Sequence, residues 1–226
     1  SIRRILMKKV AVVTGLFGNF KKVHYTDCEN AYVVTTKKND EQTKQITKQG
    51  WRVFFVNQNE SKSLIQGSKQ SKFVKTLKYL KPEAEYILYI DHKWMIMKEH
   101  VNQLIELIKG YPLLAFKNNA DVYKEFYNSM SFERYSVDMS KILNTVKQYE
   151  GNKIDMFLTG LILYDTKHKD FDLIIKTLNN SLTIHKHLQC QITFPFALKD
   201  FDKNLIQNDI DLKHQYPEPA QQGINF

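Results

Sequence analysis

The chain has 226 residues, 42% hydrophobic and 12% aromatic, which suits one large α/β domain with a sizeable core and excludes wholesale disorder. Its longest apolar runs fall short of the roughly 18 residues a membrane span needs, and its basic start leads into the strand-like "VAVV" rather than a secretory signal. The net charge of +9, from 33 Lys+Arg against 24 Asp+Glu, points either to an anionic partner or to a biased composition, but Arg3, Arg4, Arg52 and Arg134 are the only arginines, which argues against reading of DNA base edges.

These features imply a cytoplasmic protein with at most peripheral membrane association and no nucleic-acid partner. Met7 reads as a natural start behind six added residues. Cys28 and Cys190 are far apart and form neither a zinc spacing nor a disulfide framework, which fits a reducing compartment.

In chain order, "KKVAVVTGLFGNF" reads as a strand over 9–14 ending in a turn that holds Gly15 and Gly18. The runs "AYVVTT" (31–36) and "WRVFFVNQ" (51–58) are further strands, and the polar helix formers between them end at Gly50, a helix C-cap. This β-α-β spacing predicts a parallel sheet. Residues 68–80 read as a helix with Phe73, Leu77 and Leu80 on its core face and Lys72 and Lys75 on the other, stopped by Pro82. A strand "YILYI" follows, then a helix over 98–109, a strand over 111–116 and two mostly helical stretches across 119–150. The apolar "MFLTGLILYD" (156–165) is the next strand. Helical periods run over 169–178 and 182–199, and a polar tail starts at 200. With no repeat or composition break, residues 1–226 read as one domain with a mostly parallel central sheet flanked by helices.

Ligands of open α/β sheets gather at the C-terminal ends of strands, and three candidate pieces fall there. In Thr14-Gly15-Leu16-Phe17-Gly18 the missing Cβ atoms allow close backbone approach to a ligand, although the turn is neither GxGxxG nor a P-loop. Asp91, at the end of "YILYI", can ligate Mg²⁺ or Mn²⁺ beside a diphosphate, or can serve as a helix cap or a lysine's ion-pair partner. Lys72 and Lys75 are either a solvated face or point charges for phosphate.

Together, "VAVVTGLFGNF", "YVVTT" and "SKFVKTLKYL…EYILYID" resemble nucleotide-sugar glycosyltransferases of the GT-A type. They are similar in particular to the small glycosyltransferase-like domains of large DNA viruses, bacteria and plants, a group that includes a capsid-glycosylating enzyme of a chlorella virus. "FKNNADVYKEF" (116–126), "FLTGLILYD" (157–165) and "HLQCQITFPFAL" (187–198) extend the likeness over residues 8–198.

The resemblance implies a GT-A-like fold and transfer of a sugar from a nucleotide diphosphate donor, a UDP-sugar first, to a glycan or glycoprotein. It places Thr14, Gly15, Phe17, Gly18, Lys72, Lys75, Asp91, Lys93 and Gly160 at the donor and Mn²⁺ or Mg²⁺ on Asp91. Gln191 falls near the anomeric carbon, and Asp155 is the fallback base of an inverting route. The chain departs from the family pattern at Lys93, where an acid is usual, so either other ligands help Asp91 or Lys93 itself faces the diphosphate. It departs again at Cys190, which stands in the place of an Asp. A non-catalytic basic module that binds polyanions is the alternative, and a nucleotidyltransferase would need a second carboxylate close to Asp91.

Overall fold

The apolar runs pair into one sheet in the computed structural model, which describes residues 9–18, 22–36, 39–59, 63–207, 210 and 212. Residues 1–6, expected to precede a start at Met7, and nearly all of the tail beyond 207 lie outside the described residues. The strands are β1 (Val10–Gly15), β2 (Ala31–Thr35), β3 (Arg52–Phe55), β4 (Tyr86–Ile90), β5 (Leu113–Lys117), β6 (Phe157–Asp165) and β7 (Asn204–Ile206). The helices are α1 (Asp40–Lys48), α2 (Leu64–Lys75), α3 (Lys98–Ile108), α4 (Val122–Met130), α5 (Glu133–Ser136), α6 (Met139–Lys147), α7 (Phe171–His185) and α8 (Cys190–Ala197).

The sheet order is β3-β2-β1-β4-β6-β5-β7. Strands β1 to β4 run parallel and β7 runs parallel to β5, while β6 is antiparallel to both β4 and β5. Strands covered by helices on both faces need apolar residues at successive positions, and Ala11–Val13 and Ile87–Ile90 are all buried. Alternate side chains feed two cores. Val12, Leu88 and Ile90 pack on one face with Ile46 of α1 and Val101 and Leu104 of α3. Val13, Ile87 and Tyr89 pack on the other with Val74 of α2, Leu178 of α7 and Phe194 of α8. A third cluster, with Val122, Tyr135, Ile142 and Ile192, joins α4, α5 and α6 to α8.

The helix expected over 68–80 begins earlier, at Leu64, where Ser63 accepts the Gln66 N–H at 3.1 Å. It also ends earlier. Thr76 donates to Asn179 of α7 at 2.7 Å, and Asn179 donates back to the Thr76 carbonyl at 3.1 Å. Leu77 then turns left-handed at φ 54°, so a tertiary contact rather than Pro82 stops the helix. The break expected after 178 falls instead at Lys186, φ 55°, which lets α7 run to His185. The tail expected to be polar from 200 contributes β7, and Ile210 and Leu212 are buried in the first core. A three-residue strand is too short for alternation to reveal it.

Candidate functional site

Between β1 and β4 the sheet changes direction of growth, since β2 and β3 extend it one way and the later strands the other. Such a switch point opens a crevice at the strand C-termini. Thr14–Gly18 leaves β1 on one side of it, and Asp91 leaves β4 on the other.

Asp91 is held from three directions. Its backbone N–H donates to the Gly160 carbonyl at 2.8 Å. Tyr89, two residues earlier and so on the same face of β4, donates its hydroxyl to Oδ1 at 2.5 Å. Lys75 Nζ lies 3.1 Å from the same oxygen and donates to the Thr159 carbonyl at 2.7 Å. Burial alone would raise the Asp91 carboxyl, but the nearby charges, Lys75 first and then Lys72, bring it down to about 2.

Lys75 is therefore not on a solvated face. It is 3% exposed, because α2 is pinned by its last turn: Tyr164 of β6 donates to the Lys75 carbonyl at 2.7 Å. The pairing of β5 with β6 shifts register between Ala115 and Phe116. A bulge of this kind leaves a strand carbonyl outside the ladder, and here Thr159 meets the lysine. A Cβ on Gly160 would stand 3.1 Å from Asp91 Oδ2, so glycine is needed for β6 to pass this close. Gly160→Ala is expected to lower stability by about 1–2 kcal/mol through that overpacking, measured by urea unfolding, with a smaller penalty when Asp91→Ala is already present.

Lys72, one turn before Lys75, is half-buried. Burial would lower its pKa, but Cys190, Tyr135 and Asp91 together raise it above the ordinary lysine value against an opposing charge from Arg134. Cys190, at the start of α8, is buried 2.8 Å from the Thr159 hydroxyl. Burial favours its neutral thiol, yet Lys72 and Lys75 bring it below its usual range. The site thus sets a half-buried carboxylate, Asp91, and a buried thiol, Cys190, among lysines.

The other expected residues are placed as follows. Thr14 is fully buried at the end of β1, and its hydroxyl has no hydrogen-bond partner among the described residues. Gly15 faces Val74 of α2 so closely that a Cβ would stand 3.0 Å away. Phe17 is a core side chain against Tyr79 at 6.2 Å between centroids, which leaves its backbone rather than its ring for a ligand. Gly18 turns the chain at φ 67°. Lys93 and His92 lie in the turn that Trp94 N–H closes on the Asp91 carbonyl at 3.0 Å. Burial pushes the His92 imidazole down while Asp91 pulls it up.

Gln191 follows Cys190 on α8 and donates to Glu125 of α4 at 2.8 Å. Asp155 is not brought to this crevice. It is exposed in a polar hollow with Lys117, Lys203 and Asn204 at the β5–β7 edge.

Four further residues escaped the sequence reading. Tyr89 and Tyr164 were read only as strand aromatics. Glu125 is buried and also accepts from Asn118 at 2.8 Å; its signal was the spacing Val122/Glu125/Ser129, which puts a carboxylate on the buried stripe of α4. Arg134 lies on α5, its guanidinium carbon 4.7 Å from the Phe132 ring centroid and 4.8 Å from that of Tyr135.

No protein-family model matches the chain, and no curated protein does. Solved structures do. The WbbM bifunctional glycosyltransferase is similar over 88% of this chain and 39% of its own, at 11% identity and a TM-score of 0.51. GlyE, a glycosyltransferase of Streptococcus pneumoniae TIGR4, is similar over 88% and 45% of the two chains, at 15% identity and TM-score 0.47. Mouse xyloside xylosyltransferase 1 is similar over 88% and 84%, at 8% identity and TM-score 0.44. The chain spans less than half the length of WbbM and GlyE. At such identities the likeness to WbbM establishes the architecture, a glycosyltransferase-like α/β fold with a mostly parallel sheet.

Proposed function

We propose that this protein transfers a sugar from a nucleotide diphosphate donor, a UDP-sugar being the first candidate, to a glycan or glycoprotein acceptor. The observation that carries the reading is the Asp91–Lys75–Tyr89 constellation with Lys72 beside it, at the switch point of a glycosyltransferase-like sheet. The nucleoside lies along Thr14–Gly18 and the diphosphate over the ends of β1 and β4. When the bond between the anomeric carbon and the diphosphate oxygen breaks, the electron pair goes to the leaving group. Positive charge fixed beforehand at that point lowers the barrier. Lys72 and Lys93 have the charge for this task, while Lys75 is engaged by Asp91 and serves to hold the carboxylate. Gln191 spends its N–H on Glu125, so its carbonyl oxygen is left to accept from a sugar hydroxyl.

The expectation of Mn²⁺ or Mg²⁺ on Asp91 is not carried into this reading. Mg²⁺ can bind through one or two carboxylates with phosphates and waters completing its shell, but here Oδ1 already meets an ammonium and a phenol. Among the described residues no group of three or more His, Cys, Asp or Glu stands ready to hold an ion. Nor is any described helix long and apolar enough to cross a membrane.

A thermal-shift panel of UDP-, GDP- and dTDP-sugars tests the proposal. A ligand that binds only the native state, at 100-fold its dissociation constant, adds about 2.7 kcal/mol, so one member is expected to raise Tm by several degrees. A rise only with heparin or oligonucleotides, falling steeply with salt, would favour the polyanion-binding alternative.

A further inference from the structure

We infer that Arg134 and Lys72 together neutralise the donor's diphosphate as fixed protein cations, in place of a divalent metal. The inference rests on the donor reading above and adds to it a residue, Arg134, and independence from a divalent metal.

Arg134 and Lys72 come from α5 and α2, which pack on each other, and they are near enough for their charges to repel. Among the described residues neither has an acidic ion-pair partner within 4.0 Å, whereas Lys75, their neighbour, does. The Arg134 Nε is buried with no hydrogen-bond partner among the described residues. An orphaned donor of that kind is costly to leave unmade. Cation–π contacts with the Phe132 and Tyr135 rings hold the guanidinium in place, so less freedom is lost when an anion docks. Two adjacent cations, neither with a carboxylate in ion-pair range among the described residues, suit a ligand with several closely spaced anionic oxygens. A diphosphate is such a ligand, and guanidinium binds phosphate oxygens in a bidentate fashion.

The surroundings of Asp91 point the same way. A metal on Oδ1 would have to displace the Lys75 ammonium and bind beside two lysine charges. The lysine in the third position of Asp91-His92-Lys93 adds cationic rather than ligating character. Charge that a metal would bring is thus already built into the chain.

Calorimetric titration of UDP, GDP, dTDP and inorganic pyrophosphate, each in EDTA and again in Mn²⁺, tests the inference on the full chain. The nucleoside diphosphate that binds is expected to keep its affinity within about twofold in EDTA. Arg134→Ala is expected to weaken it about tenfold or more, as loss of a charged hydrogen bond does, with binding of the matching nucleoside unchanged. Arg134→Lys should lose less. Circular dichroism checks the fold, and if Arg134→Ala does not fold, Arg134→Lys and Lys72→Gln carry the comparison. Binding that EDTA abolishes and Mn²⁺ restores, or that Arg134→Ala leaves unchanged, overturns the inference and leaves the donor reading standing. If no nucleoside diphosphate binds under either condition, the donor reading fails and this inference with it.

Discussion

Lys75→Met is expected to lower the unfolding free energy by about 3 kcal/mol, because removing the buried lysine strands the half-buried carboxylate it pairs with. Asp91 would keep the Tyr89 hydroxyl but lose the ammonium 3.1 Å away. In a chain of 226 residues this corresponds to a fall in Tm of roughly 6–12 °C. Asp91→Asn in the Lys75→Met background should restore part of the loss, giving a coupling energy of about 1–3 kcal/mol in a double-mutant cycle. The acid limb provides a second readout. A carboxyl held at about 2 in the folded state, below its ordinary value of 3.8, contributes stability above pH 4 that is lost as pH falls through 2. In Lys75→Met the folded value moves back toward ordinary, so this limb should shrink. Coupling near zero would mean that the pair is only a surface contact.

Acidification is expected to act earlier, through a different residue. His187 is buried between α6 and α8, and burial first, then the charge of His185, push its imidazole down to about 4 from 6.5. The neutral form is wired in: the Gln189 N–H donates to Nδ1 at 3.2 Å, which places the ring proton on Nε2, 2.8 Å from the Thr145 hydroxyl. Protonating Nδ1 would set two donors against each other at the entry to α8, the helix that carries Cys190 and Gln191. Because the folded pKa is depressed, the contribution is full above pH 6.5 and is lost as pH falls through 4. Stability should drop by about 3 kcal/mol over that window. Urea unfolding at a series of pH values checks this. His187→Gln should flatten the profile between pH 6.5 and 4 while leaving the Asp91 limb between pH 4 and 2. A parent profile that is flat from 6.5 to 4 would contradict the account.

How far the sequence could be read depended on the range of the interactions involved. Buried strands announce themselves locally, so β1, β4 and β6 lie within a residue or so of where their apolar runs place them, and so does the Gly-containing turn after β1. Helix ends fixed by distant partners do not. Nothing near Thr76 signals that Asn179, 103 residues on, stops α2. The site divides in the same way. Asp91 at a strand end and Lys72 and Lys75 ahead of it were legible as a group, because strand order and spacing put them together. That Lys75 is buried in an ion pair, with Lys72 left beside it, depends on the β6 bulge and on Tyr164, which only pairing in three dimensions brings in. Gln191 was placed by resemblance, whereas its partner Glu125 hides on the buried stripe of an ordinary amphipathic helix. Arg134 drew no notice because its role lies in what surrounds it, two rings and an unmet donor, and not in any local pattern.

The central claim, that nucleotide diphosphate donors bind where β1 and β4 part, is tested most directly by hydrogen exchange with and without a saturating nucleotide-sugar. The expected result is slowed exchange confined to peptides covering 14–18, 70–76 and 90–95, with the β5–β7 edge around Asp155 and Lys203 unchanged. Protection at that edge and none at the three segments would contradict it.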